Sequence, residues 1–181
     1  MTSHTLDNYR QLIVKVEALC SAIAAMLGEQ ITCSAGCSSC CTSITIFPVE
    51  AAAMREALLG LSEWQADEIR RHVAEQADGE RCPLLLHDHC LLYKARPIIC
   101  RTHGFPIIYS ADGRRQSDCC PRNMTEQTSP LAGSKVVDLD TLNTLLVAIN
   151  SIYLSQVGTA TELRMTIAEA LSDTEKKIIS S

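Results

Sequence analysis

The chain has 181 residues, enough for one domain with a sizeable core or a domain with an appendage. Apolar residues make up 46% and aromatic ones only 4%, which excludes an intrinsically disordered chain and points to an aliphatic, helical core. A formal net charge of −5 and a pI near 5.5 argue against a nucleic-acid partner, which wants a basic face.

The first ten residues, MTSHTLDNYR, show no basic run followed by an apolar one. The longest apolar stretches, Leu12–Leu27 and Leu142–Leu154, are interrupted by Lys15 and Glu17 and by Asn143 and Asn150. No membrane span is expected on that count, and the expected address is the cytoplasm. Residues 5–30 predict a helix, with Leu6, Tyr9, Ile13, Val16, Cys20, Ile23 and Leu27 on one apolar stripe and Gly28 as its stop. Cys20 lies on that stripe and reads as a buried core thiol.

Residues 31–124 form the second segment and hold the other nine cysteines. It opens with CSAGCSSCC, Cys33–Cys41, and continues through TSITIFP, a short alternating stretch that reads as a strand. Pro48 opens a helix to about Leu59, with Glu50 near its positive end. Ser62–Gln65 fits a capping box and starts a helix to about Ala77. Pro97 opens a short helix through Thr102, ended by Gly104, and FPIIYSADGRRQS reads as a hairpin around an Asp-Gly turn. TEQTSPLAGS, residues 125–134, is the linker candidate. In the third segment, 135–181, Asp138 or Asp140 caps a helix carrying Leu142, Leu145, Leu146, Ile149, Ile152 and Tyr153, which Gly158 ends. A helix over 161–171 and a capping box at Ser172–Glu175 complete the chain. The expected fold is mainly α: a helical domain with a loop-rich, metal-pinned cysteine module and a small β-hairpin. Residues 1–30 pack as a helix on the module of 31–124, and 135–181 supply C-terminal helices.

The cysteines carry the chemistry. In a reducing compartment clustered thiols bind metal or do redox work rather than form structural disulfides; a secreted disulfide scaffold is the rival reading. Thiolate is a soft donor for zinc, copper(I) and iron–sulfur clusters. Cys37 and Cys40 form a CxxC knuckle that can aim both sulfurs at one point. Cys41 follows Cys40 directly, and neighbouring side chains tend to diverge. With Cys82, Cys90, Cys100, Cys119 and Cys120, the candidates number nine, more than one tetrahedral ion takes. Two zinc ions, one zinc with a spare redox pair, or one cluster with structural thiols all fit the count. His87, His89 and His103 are optional imidazole donors, more readily solvated than ligating. A four-thiolate zinc or [4Fe–4S] site keeps a charge of about −2, so nearby cations matter. Of Lys94, Arg96, Arg101, Arg114, Arg115 and Arg122, the two nearest Cys100 in sequence, Arg96 and Arg101, are the candidates for supporting the centre.

CSAGCSSCC, the acidic helix start at PVEA, CPLLLHDHCLLYKARPIICRTHGFP and the later Cys119–Cys120 pair together resemble the YkgJ-type cysteine cluster proteins, the zinc- or iron-chelating CxxCxxCC domain. The matching positions are Cys37, Cys40, Cys41, Cys82, Cys90, Tyr93, Arg96, Pro97, Cys100 and Arg101, and the resemblance covers about 33–121. It implies a metal-binding module, iron–sulfur or zinc, with the motif cysteines as ligands. Longer proteins of this kind resemble flagellin lysine N-methylases, but this chain has no glycine-rich strand–turn–helix for a nucleotide or S-adenosylmethionine. Cys33, Cys37 and Cys40 match the CxxxCxxC spacing of radical enzymes, without the βα repeats of a barrel.

The leading expectation is a cytoplasmic metalloprotein holding an iron–sulfur cluster, of the 4Fe–4S type, or zinc, with electron transfer as a use. The alternatives are a zinc-stabilised adaptor whose helices 138–179 bind an unknown protein partner, and a metal-dependent oxidoreductase or methyl-transfer enzyme working near Arg96, Arg101 and His103. A redox switch at Cys119–Cys120 is a weaker idea, because vicinal disulfides are strained.

Overall fold

The computed structural model describes residues 4–34, 36–123, 136–158 and 164–172. The linker reading at 125–134 and the capping box at 172–175 fall wholly or mostly outside these residues.

Helix α1 runs Asp7–Leu27 between 3-10 turns at His4–Leu6 and Gly28–Gln30. Its buried stripe is Tyr9, Leu12, Val16, Cys20, Ile23 and Leu27; Leu12 rather than Ile13 takes the deep position. By length and apolarity alone the stretch His4–Gln30 is sufficient to cross a membrane, contrary to the expectation from its interrupting charges. Core helices pass the same test, and here the stripe is packed inside the fold.

Strand β1 is only Thr45–Ile46, and it pairs antiparallel with β7, Met165–Thr166. Helix α2 is Pro48–Leu59, with Pro48 at its first turn. Helix α3, Glu63–Glu75, starts at the capping box of Ser62 and Gln65 and stops two residues short of Ala77. Strands β2, Leu85–Leu86, and β3, His89–Cys90, form a hairpin not foreseen from sequence. Its turn residues, His87 and Asp88, both have positive φ, 47° and 62°. Helix α4 is Ile98–Thr102. Strands β4, Ile107–Ala111, and β5, Arg114–Asp118, form the expected hairpin, with Asp112 and Gly113 at φ 51° and 72° as a type I′ turn requires. A short strand β6, Val137–Asp138, adds in parallel to β4.

Helix α5, Leu139–Val157, is capped by Asp138, whose side chain accepts the Thr141 N–H, and is ended by Gly158 in the left-handed region. It buries Leu146, Asn150 and Leu154, while Leu145 and Ile152 of the expected face are exposed. Helix α6 covers only Ile167–Leu171. The predicted helix at 161–171 starts late because Met165 and Thr166 pair with β1, and Thr166 caps α6 in a box with Glu169.

Helices dominate, so the chain is mainly α. Two cores hold it. In one, the α1 stripe meets Phe47, Val49, Ile98, Val137 and Leu146. In the other, α2 and α3 meet Leu84, Leu92, Ile167, Ala170 and Leu171. Each core draws residues from well-separated parts of the sequence, and Cys82 and Cys90 pack against the second.

Candidate metal centre

The first elements to position thiols are backbone pairings. Thr42 and Arg81 form an antiparallel bridge, and the Cys82 N–H donates to the Cys41 carbonyl at 3.1 Å. This sets the chain at Cys41 beside the chain at Cys82. The β2–β3 hairpin then places Cys90 opposite Leu85, and the Leu85 N–H closes a turn onto the Cys82 carbonyl at 3.0 Å. Ser38 fastens the cysteine loop to this hairpin. Its hydroxyl donates to Asp88 at 2.5 Å and accepts from the Arg81 guanidinium at 3.0 Å.

Cys100 arrives on α4, which Glu50 holds in place. The Glu50 carboxylate is 2% exposed. It accepts the Phe47 N–H at the start of α2 and the Ile98 N–H at the start of α4, both at 3.0 Å, and the Tyr9 hydroxyl of α1. One buried side chain therefore joins three helices and fixes the one that carries Cys100. Burial raises its carboxyl above the usual range, against the pull of these donors.

Four thiols share one electrostatic neighbourhood. Burial pushes the Cys100 thiol up to about 12, and the charges of Cys82, Cys90 and Cys41 add to that. Cys90 is pushed up to about 11 by burial, again with Cys82 and Cys41 contributing. Cys82 is raised by burial, and Cys41 by burial and then by Cys82. Backbone N–H groups point at two of the sulfurs: Leu84 at Cys82 and Leu92 at Cys90. Donors placed two residues after a cysteine are what a thiolate ligand needs once its proton leaves. The donor set therefore fits zinc or iron: four soft sulfurs from three chain segments, with N–H groups ready to stabilise their charge. Among the described residues, no three His, Cys, Asp or Glu side chains stand close enough together to hold a single ion.

The adjacent Cys40 keeps its thiol beside that of Cys41, with a hydrogen bond between the two. Burial raises it first, and the charges of Cys41, Cys33 and Cys37 add to that; it lines a cleft of about 380 Å³ with His103, Cys119, Cys120 and Arg122. Burial lowers His103, which keeps its imidazole neutral. Cys37 is lowered, first by the Ser39 hydroxyl and N–H and then by Arg122, whose Nη1 approaches its sulfur at 3.6 Å. Cys33 sits against Gly104, which has φ +90°; a Cβ there would stand 2.6 Å from the Cys33 sulfur. Asn123, 2% exposed, donates to that sulfur at 3.3 Å and to the Gly104 carbonyl at 2.6 Å, while its Oδ1 accepts the Thr32 N–H at 2.8 Å.

Of the nine predicted cysteines, Cys41, Cys82, Cys90 and Cys100 form an inner four by mutual interaction; Cys40 interacts with Cys33, Cys37 and Cys41, and Cys119 with Cys120, so Cys41 links the inner four to the cysteine loop. The two predicted arginines have other partners. Arg101 is buried; its guanidinium pairs with Glu17 of α1 and donates to the Arg96 and Lys94 carbonyls, each at 2.9 Å. Arg96 stacks on the Tyr93 ring at 4.1 Å, donates to the Tyr93 carbonyl at 3.1 Å and lies 3.9 Å from Glu17; its charge also reaches Cys90. Arg122 is the arginine hydrogen-bonded to a thiol among the described residues. Cys20 is buried on α1 and points its thiol at the Arg101 carbonyl, 3.5 Å away. His87 is exposed in the hairpin turn and His89 on strand β3. Sequence reasoning missed Ser38, Asp88, Gly104 and Asn123; only Gly104, beside a helix end, carried a readable signal.

Residues 32–128 match the CxxCxxCC family, described as "Putative zinc- or iron-chelating domain". The match covers more than half of the chain, which belongs to this family. The first interval departs from the family's named pattern: three residues rather than two separate Cys33 from Cys37. No curated protein and no solved structure matches the chain.

Proposed function

We propose that this member of the CxxCxxCC family is a metalloprotein whose inner thiols, Cys41, Cys82, Cys90 and Cys100, hold an iron–sulfur cluster of the 4Fe–4S type. The observation that carries the reading is the gathering of these four thiols from three chain segments: Cys82, Cys90 and Cys41 all bear on Cys100, and the Leu84 and Leu92 N–H groups point at the Cys82 and Cys90 sulfurs. Nine clustered cysteines that include two adjacent pairs suit a wide, soft centre. An iron–sulfur cluster is such a centre and takes four cysteines. Bound there, it supplies one-electron chemistry and ties the α4, hairpin and cysteine-loop segments together, so that ligation is also folding energy.

The proposed address is the reducing cytoplasm, in keeping with ten free thiols. The test is anaerobic purification followed by iron, zinc and acid-labile sulfide per chain, with the visible spectrum. Iron and sulfide in equal amounts with a brown chromophore support the cluster. A colourless protein with stoichiometric zinc and no sulfide refutes it and leaves the inner four as a structural zinc site. In either case Cys100→Ser loses the inner metal and Cys20→Ser keeps it; metal retained in full by Cys100→Ser would remove Cys100 from the ligand set.

A further inference from the structure

Helix α1 is apolar on both sides. Its inner stripe lies in the first core with Ile98 of α4. Two of its charges are taken up within the fold, Arg10 by Glu56 and Glu17 by Arg101. The outward face carries Val14, Leu19 and Met26, which are 66%, 40% and 45% exposed. Ala18, Ala22 and Ala25 are exposed between them. A surface helix keeps its outer side polar, and one that is apolar all round belongs in an interior. Lys15 is the charge set into this face, and Glu29 stands on the 3-10 turn that follows α1. Neither has an ion-pair partner among the described residues. Lys15, Ala22 and Glu29 recur seven residues apart, with Ala18–Leu19 and Ala25–Met26 between them, which is the spacing of a helix-pairing seam.

We propose that the outward face of α1 is the interface of a homodimer, in which a second copy of the chain lays its own α1 antiparallel across the first, on a two-fold axis through Ala22. The inference holds whichever metal the cysteines take.

The order of residues along the seam selects the occupant. A two-fold contact brings a face against itself, so residues equally far before and after Ala22 meet across the axis. Leu19 then meets Ala25 and Ala18 meets Met26, a large side chain against a small one each time. Lys15 of each copy reaches Glu29 of the other, which pairs both open charges at the two ends. A parallel pair would instead set Lys15 against Lys15 and Glu29 against Glu29. Anionic lipid headgroups would answer Lys15 but repel Glu29 and a chain of net charge −5. The exposed stretch, residues 11–26, is about 24 Å long. Two such faces make a small interface of the transient class, so association is reversible and concentration-dependent.

The experiment follows the full-length protein, purified without oxygen and kept reduced so that no disulfide links two chains, by sedimentation velocity over about 1–100 µM, where a small interface associates. The wild type is expected to move with concentration from the chain mass of 19.8 kDa toward twice that mass. Ala22→Glu brings two carboxylates together on the axis and should weaken association at least ~10-fold. Its far-ultraviolet circular dichroism and metal content should be unchanged. Lys15→Glu and Glu29→Lys should each weaken association, and the double variant Lys15→Glu/Glu29→Lys should restore it. Within one chain these two residues stand about 21 Å apart along the helix, so the rescue can come only from a second copy. Leu59→Glu, at the 74% exposed end of α2, is the control and should leave the dimer intact.

A wild type that stays monomeric over the whole range overturns the proposal; if it then floats with phosphatidylcholine vesicles, the face belongs to lipid. Association that survives Ala22→Glu, or that Leu59→Glu abolishes, places the contact elsewhere and overturns it as well. If Ala22→Glu misfolds, the charge variants, both at exposed positions, still decide: no rescue in the double variant overturns the antiparallel pairing.

Discussion

Replacing Glu50 with Ala tests whether one buried carboxylate organises the metal site from outside it. Three donors lose their acceptor: the Phe47 and Ile98 N–H groups, each at 3.0 Å, and the Tyr9 hydroxyl. A buried donor left without a partner costs about 1–3 kcal/mol. The two amides alone therefore set a loss of roughly 2–6 kcal/mol. Removing the carboxylate also relieves its own burial, which is strong enough to raise its pKa, so a net loss of about 3 kcal/mol is the better figure. For a chain of this size that lowers Tm by about 6–12 °C. The effect should reach the metal because Ile98 begins the helix that carries Cys100. Glu50→Ala is expected to fall in Tm and in retained inner metal together. Glu50→Gln keeps one acceptor but turns an amide N–H toward a backbone donor, and should lose about half as much stability. The assays are calorimetric unfolding and metal content of the purified variants. A Tm within about 2 °C of wild type for Glu50→Ala, or normal stability with lost metal, would refute the bracket.

Three further outcomes follow from the same geometry. Arg101→Met leaves Glu17 with the more distant Arg96, 3.9 Å away, and the Lys94 and Arg96 carbonyls without their donor; because Glu17 is half exposed, the cost should be about 2–3 kcal/mol rather than the full value for a buried pair. Arg101→Lys should recover only part of it in urea unfolding, since one ammonium cannot replace a planar fork. Gly104→Ala forces a side chain into φ +90° and against the Cys33 sulfur, so it should cost at least about 1–2 kcal/mol and speed alkylation of Cys33, read by mass spectrometry. The reduced, metal-free protein should lose stability with rising alkalinity. Its folded Cys90 and Cys100 hold protons up to about 11 and about 12, whereas the unfolded thiols release theirs near 9.0. Stability from these groups is complete below pH 9 and falls through the window from 9 to 12. Urea midpoints measured below pH 9 and near pH 11 check the sign, and a rise across that window would contradict it.

Much of the architecture was legible because it is local. The stripe of α1, the proline start of α2, the Ser62 box and the Asp112–Gly113 hairpin each depend on residues a few positions apart. The pairings that escaped notice are long-range or unconventional. Thr45 and Thr166 meet across most of the chain, and nothing in either stretch names the other. The β2–β3 turn uses His87 and Asp88 where Asn-Gly or Asp-Gly would have announced it. Arg101 shows a different limit. Its position beside Cys100 suggested a role at the metal, but sequence adjacency on a helix sends neighbours to different faces. Its side chain left the thiol and closed on α1 instead.

Adjacency acts on Cys40 and Cys41 in another way. Their thiols stay within hydrogen-bonding reach of each other, yet their further neighbours differ. Cys41 bears on Cys90 and Cys100 and is itself raised by Cys82, while Cys40 is raised by Cys33 and Cys37 and lines the cleft. The position of Cys41 is set by the Cys82 N–H, which donates to its carbonyl, and by the Thr42–Arg81 bridge that follows. Inserting a glycine between Cys40 and Cys41 should therefore disturb the inner four while α1 and its core stay in place. Loss of the inner metal with helix content kept is the expected result, from metal analysis and far-ultraviolet circular dichroism. Full inner metal in the insertion variant would show that the register at Cys41 is not needed and would remove Cys41 from the ligand set.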